Sequence, residues 1–306
     1  MERLDGSAAV PPKYRGGIVA LGNFDGFHAG HQAVVGRAVT LAKANGVPAL
    51  VATFDPHPVR YFKPDTPPFR LTSLDQRERL FAQAGADAMI VFPFNAALAA
   101  LSAEEFAAQR LAGISGVVTG EDFTFGNRKS GNVSVLAELG ARYGFFSEAV
   151  GAIGQGDAVI SSSRIRRALQ SGDCATASQL LTRPFTVQGV VQHGDKRGRT
   201  IGYPTANIDM GSYLRPRYGI YAVRVRLADG RLIDGAANLG IRPSFDPPKE
   251  LLEAYLFDFD ASLYDQVIEV ELHAFLRPEA KFDTLEALTA QMDQDCVEAR
   301  AILKTS

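Results

Sequence analysis

The chain has 306 residues, 46% of them hydrophobic and 22% charged, with a formal net charge of −2. That composition supports two globular domains and excludes a disordered chain, and the near-neutral balance excludes a strong global field for nucleic acid or an anionic membrane. Two cysteines, Cys174 and Cys296, lie far apart and form neither a zinc pattern nor a disulfide framework, and no apolar run reaches membrane-spanning length. The start, MERLDGSAAVPPKYRGG, is polar and has no apolar secretory core, so the expectation is a cytoplasmic protein in a reducing compartment.

Taken in chain order, GIVALGN (17–23) reads as a short buried strand before a glycine-containing turn. HQAVVGRAVTLAKANG (31–46) places Val34, Ala38, Leu41 and Ala42 at helical spacing and ends on Gly46 as a C-cap. The alternation continues: strand VPALVATF (47–54), helix SLDQRERLFAQAG (73–85), strand DAMIVFPF (87–94), helix SAEEFAAQRLAG (102–113), strand SGVVTG (115–120), helix SVLAELGARYG (134–144) and strand FFSEAV (145–150). Continuous apolar strands separated by helices predict a parallel sheet covered on both faces, with ligands beyond the carboxyl ends of its strands. The helical stretch SRIRRALQSGDCATASQLL (163–181) then joins the halves. Beyond it, segments 185–194, 219–240, 251–260 and 266–278 alternate with period two, with a hairpin turn at 228–230, and 284–304 is a closing amphipathic helix. This predicts a small antiparallel barrel with a C-terminal helix, and a domain boundary between 182 and 183.

The most informative stretch is LGNFDGFHAGHQ (21–32), where His28 and His31 stand at the corner between the first strand and its helix. Helix starts present unpaired N–H groups and partial positive charge, and two imidazoles there add donors for the same anion. The arrangement suits nucleotidyl transfer, in which positioning and charge stabilisation suffice and no covalent nucleophile is required. A metal site lacks a third and fourth ligand nearby in sequence, and a surface pair of histidines is the plain alternative. In the second half, HGDKRGRTIGYPTANI (193–208) joins Gly194 and Gly198 to Lys196 and Arg199, a candidate phosphate loop that taken alone also fits an exposed turn. Thr205 and Asn207 offer two oxygen ligands at i, i+2 on one side of an extended segment, which suits Mg²⁺.

GNFDGFHAGH resembles the G-x-F-D-x-x-H-x-G-H signature of the bacterial bifunctional riboflavin kinase / FMN adenylyltransferases (FAD synthetases). FDPHPVRYF (54–62), GEDFTFG (120–126), ISSSRIRRAL (160–169) and GYPTAN (202–207) match further motifs of that family in the same order. The resemblance implies a Rossmann-like nucleotidyltransferase domain (1–182), then a riboflavin kinase barrel (183–306). It implies phosphorylation of riboflavin to FMN and adenylylation of FMN to FAD, with Mg²⁺ and ATP. His28 and His31 would stabilise adenylyl transfer, with Asn23, Phe24, Ser162, Arg164 and Arg166 around the nucleotide. For the last three, a capped helix with solvated arginines is the alternative. His57, Phe62, Asp122 and Phe125 would line the flavin site; a core role for either ring and a turn cap for Asp122 remain open. In the barrel, Gly194, Lys196, Gly198 and Arg199 would meet ATP, Thr205 and Asn207 the metal, and Arg277 the flavin, or else a surface ion pair. Glu253 would be the base, although without the resemblance it is not separable from Glu269 or Glu271. Asn238 in ANLGIRPSF matches a loop near that site. Thr182 replaces a usual glycine, and Tyr255 a usual histidine. Expected partners are riboflavin, FMN and ATP, with no nucleic acid and no membrane; homo-oligomerisation and transfer of flavin to apo-flavoproteins are left open. A nucleotidyltransferase for another substrate, or a regulator with decayed catalysis, are the rival readings; the intact GYPTANI and histidine motifs weigh against both.

Overall fold

The computed structural model describes residues 1–155, 158–193, 202–242 and 249–305. The chain divides into two compact units, one formed by residues 1–66 and 74–161, the other by 67–73 and 162–306.

In the first unit six parallel strands, β1 (Glu2–Asp5), β2 (Ile18–Leu21), β3 (Ala49–Asp55), β4 (Ala88–Pro93), β5 (Gly116–Gly120) and β6 (Phe146–Val150), lie in the order β1-β4-β3-β2-β5-β6. Without β1 this is the doubly wound order, and the chain reverses direction across the sheet between β2 and β5. Both faces of the central strands are dry, which is why β2, β3, β4 and β5 are largely apolar, whereas the edge strands β1 and β6 are more exposed. Ile18, Ala20 and Val51 face α1 (Ala29–Asn45) and Phe81 of α3 (Leu74–Gln83). Val19, Leu21, Leu50 and Ala52 face α5 (Ala103–Arg110) and α6 (Val133–Tyr143). The expected helix signals are realised: Gly46 ends α1 in the left-handed conformation, and Ser102 with Glu105 forms a capping box on α5. One-turn helices α2 (Pro58–Phe62) and α4 (Ala96–Ala100) and the ribbon β7 (Gly154–Gln155) with β8 (Ala158–Val159) complete the unit.

The second unit begins with α7 (Ser162–Ser171) and α8 (Cys174–Leu181), two helices where the periodicity predicts one stretch; Asp173 caps the second. Strands β9 (Phe185–Val190), β10 (Thr205–Asp209), β11 (Gly219–Arg226), β12 (Leu232–Arg242), β13 (Lys249–Leu256) and β14 (Val267–Arg277) form an antiparallel sheet in the order β10-β13-β12-β11-β14-β9. The sheet curls until its edges meet, and the Gln192 N–H donates to the Asn207 carbonyl at 2.8 Å. Ile208, Leu252, Leu239, Val223, Val270 and Val187 fill the inside. On the opposite face, α9 (Leu285–Leu303) lays Ala299 and Leu303 against Ala222, Ala236 and Phe257. Residues 67–73 add to this unit: Arg70 donates its N–H to Ser212 O at 3.1 Å and accepts from Leu214 N at 2.8 Å.

Candidate active sites

Strand β2 ends beside the reversal point of the parallel sheet, and the loop after it carries the two histidines. Phe24 and Phe27 take positive φ values of 49° and 43°, costly for bulky residues, so packing must hold them. Phe81 of α3 does so, meeting the two rings edge-on at 5.8 and 5.1 Å. One turn earlier on the same helix face, Arg77 is 2% exposed and donates to the Asn23 carbonyl at 3.1 Å and to Thr53 Oγ1 at 2.8 Å. Thr53 Oγ1 also donates to the Asn23 carbonyl at 2.9 Å. The loop is thus fixed from beneath by one helix.

His28 caps α1: its Nδ1 accepts the His31 N–H at 3.4 Å. An accepting Nδ1 is unprotonated, so the neutral ring carries its proton on Nε2, where it is a donor. The His28 and His31 rings stack with centroids 3.6 Å apart and planes 20° off parallel. A Cβ on Gly30 would sit 3.3 Å from the His28 ring, which is why glycine stands between them. The Phe24 ring meets His31 edge-on at 5.3 Å. Phe24 is 2% exposed, so its ring supports the histidines from the core, and the group it can offer a nucleotide is backbone. The Asn23 side chain is exposed at the strand end.

The expected flavin contacts in this unit separate into two kinds. Phe62 is 64% exposed and sits edge-on to Tyr61 and Phe94, an aromatic shelf open to solvent. His57 caps α2 by accepting the Val59 N–H at 3.2 Å. Phe125 is instead buried against Phe106 and Phe123 in the core, and Asp122 is exposed.

In the second unit, Ser162 opens α7 and Arg164 is half-buried. Arg166 donates to the Phe69 carbonyl at 2.8 Å and lies over the Phe69 ring at 5.1 Å. The barrel organises the rest. Residues directly opposite on neighbouring strands share a face, and the register sets Asn207 opposite Glu253, Glu253 opposite Asn238, Asn238 opposite Ile220 and Ile220 opposite Arg277. Thr205 shares this outer face, opposite Tyr255. Asn238, matched to a loop from its sequence, is in the middle of β12. The Oδ1 atoms of Asn207 and Asn238 are both buried without a hydrogen-bond partner among the described residues. A buried amide oxygen in that state costs about 1–3 kcal/mol until a ligand satisfies it. Asn207 with Thr205 therefore fits a hard cation. Arg277 is committed to Asp295 of α9 by two bonds of 2.8 and 2.6 Å. Tyr255 meets Tyr203 and Phe257 edge-on, so an aromatic ring takes the place of the usual histidine by packing. Burial, then the neighbouring Cys296, pushes its hydroxyl pKa up. Tyr203, next to the Pro-Thr-Ala-Asn run, is tied through its hydroxyl to Asp293 of α9. Gly194, Lys196, Gly198 and Arg199 lie outside the described residues.

Comparison with known proteins finds two families in tandem. Residues 10–164 match the FAD synthetase family and residues 181–303 the riboflavin kinase family. A bifunctional riboflavin kinase/FMN adenylyltransferase of Pseudomonas fluorescens is 37% identical over 100% of this chain and 99% of its own length. One from Bacillus subtilis is 38% identical over 92% of this chain and 91% of its own. A crystal structure described as a macrolide-efflux protein from Streptococcus pneumoniae superimposes with a TM-score of 0.85 and 29% identity, covering 96% of this chain and 97% of that one. Among the described residues no helix is long and apolar enough to cross a membrane. With two family matches in tandem and relatives aligned over nearly their whole length, the chain belongs to the bifunctional riboflavin kinase/FMN adenylyltransferase family.

Proposed function

We propose that the family's two reactions run on the two groups of side chains just described, with the activities divided between residues 1–182 and 183–306. The enzyme phosphorylates riboflavin to FMN with its C-terminal region and adenylylates FMN to FAD with its N-terminal region, using ATP in both. In adenylyl transfer a phosphate oxygen of FMN attacks the α-phosphorus of ATP, and the bond to the β-phosphate breaks to release pyrophosphate. His28 donates from Nε2 and His31 stands beside it at the start of α1, so donors and the positive helix end face the charge that develops on the phosphates. Asn23, the Phe24 backbone, Ser162, Arg164 and Arg166 serve the nucleotide; His57, Phe62, Asp122 and Phe125 serve the flavin, the exposed Phe62 by direct contact and the buried Phe125 as its support.

In the kinase, Glu253 takes the proton of the riboflavin 5′-hydroxyl while the oxygen attacks the γ-phosphorus and ADP leaves. Asn207 and Thr205 hold Mg²⁺, which neutralises phosphate charge when bound. Gly194, Lys196, Gly198 and Arg199 complete the ATP loop, and Arg277, anchored by Asp295, borders the flavin. We place the enzyme in the cytoplasm: both cysteines are free thiols, and burial holds the pKa of Cys174 up at about 12 and that of Cys296 at about 11, in unreactive form.

The observation that carries the kinase reading is the unpartnered Asn207 oxygen beside Glu253. The experiment is to supply purified protein with riboflavin, ATP and Mg²⁺ and separate the flavins by chromatography. FMN and FAD are expected, and EDTA is expected to stop FMN formation; phosphorylation that persists without divalent ions removes the metal assignment.

A further inference from the structure

The row Asn207–Glu253–Asn238 is symmetrical in side-chain type but not in surroundings. Asn207 shares its strand and face with Thr205, so two oxygens gather on that side of Glu253. On the other side Asn238 is followed by Ile220 and then by Arg277, whose guanidinium is taken by Asp295. Strands lie ~4.8 Å apart, so the two asparagines are roughly 10 Å apart at the backbone with the carboxylate between them. Within this row no uncommitted cation faces Asn238, and an amide oxygen repels phosphate. What an unpartnered amide oxygen accepts is a hydrogen bond from a neutral hydroxyl, and its NH₂ group can donate to a second one. A vicinal polyol offers both.

We propose that Asn238 binds the polyol side chain of the acceptor flavin and sets its terminal hydroxyl on Glu253, opposite the metal and phosphate side. Asn207 and Asn238 thus divide one row into a phosphate-donor half and an alcohol-acceptor half. The assignment rests on Glu253 being the base.

The test uses the full-length chain with Asn238→Ala and, as a second variant suited to a strand, Asn238→Thr. Equilibrium binding without ATP is read from flavin fluorescence, with riboflavin and with lumiflavin, which has the same ring system and no polyol. Riboflavin affinity is expected to fall about tenfold, the loss of roughly one hydrogen bond, while lumiflavin affinity stays constant. In kinase assays KM for riboflavin rises by a similar factor, and neither KM for ATP nor the Mg²⁺ half-saturation moves. Equal loss for both flavins, or a raised Mg²⁺ requirement, overturns the proposal. A cooperative melt verifies folding; if the alanine variant lacks one, the threonine variant decides on the same riboflavin-to-lumiflavin ratio. A Glu253→Gln enzyme that keeps its kinase rate removes the base assignment alone, because the binding ratio is measured with no reaction taking place.

Discussion

On the proposed assignment, the histidine loop and the asparagine–glutamate row handle ATP by opposite means. The first is a strained loop at a helix start, where main-chain N–H groups and two stacked rings supply donors; its geometry comes from packing beneath, through Phe81 and Arg77. The second is a set of side chains on adjacent strands, where geometry comes from β-register and the groups offered are oxygens. The difference follows the chemistry. Charge developing around the α-phosphorus calls for fixed donors, whereas delivering a neutral alcohol to the γ-phosphorus calls for a proton acceptor and hard ligands for a cation.

Substitutions that strike one region alone sharpen the contrast. The largest effect is expected from Glu253→Gln: FMN formation falls by about 10²–10⁴ while added FMN is still converted to FAD, and equal loss of both activities would refute the division. His28→Ala is expected to lower FAD formation from FMN by roughly 10²–10³ with riboflavin phosphorylation retained, read from the two product rates in one preparation. Arg77→Met removes the bond to Asn23 and is expected to lower kcat for adenylylation by about 10–100-fold with little change in KM for ATP, since ~1 Å misplacement of reacting groups is enough. Arg77→Lys should recover part of that rate, and a Met variant with normal kcat would show that the loop does not depend on α3. The smallest effect concerns neither site. Thr182 ends α8 at φ 63°, a left-handed conformation that is unfavourable for a β-branched residue. Thr182→Gly is expected to raise stability by roughly 1 kcal/mol, measured by denaturant melting, with both activities unchanged.

Much of the parallel sheet was legible because its central strands are largely apolar and α1, α5 and α6 carry N-caps, with glycine closing α1 and α6. β1 was not: Glu-Arg-Leu-Asp is a polar edge strand with one buried residue, and its partner is the distant β4. The one-turn helices α2 and α4 are too short for periodicity to register. The histidine pair stood out because a strand end, a glycine and a helix start are all local signals. The support from Arg77 did not, since an arginine on an amphipathic helix reads as solvated until the fold buries it. The Asn207–Glu253–Asn238 row was hidden for a different reason. Register is a long-range property, and nothing local to Asn238 announces that Glu253 faces it. Motif resemblance singled out Glu253, Thr205 and Asn207, and placed Asn238 only in a loop near the site, whereas strand pairing lines up Asn207, Glu253 and Asn238 in one row.

Residues 67–73 interrupt the first unit's stretch of chain and hydrogen-bond at Arg70 to Ser212 and Leu214 before the chain returns at Leu74. The second unit therefore draws one short segment from outside the run 162–306. A gene fusion or recombination event that carried away 183–306 alone would abandon this borrowed stitch, together with α8, which packs against β9 and β14. A segment that starts at Ser162 keeps α8 on β9 and β14 and gives up only the Arg70 backbone bonds to Ser212 and Leu214.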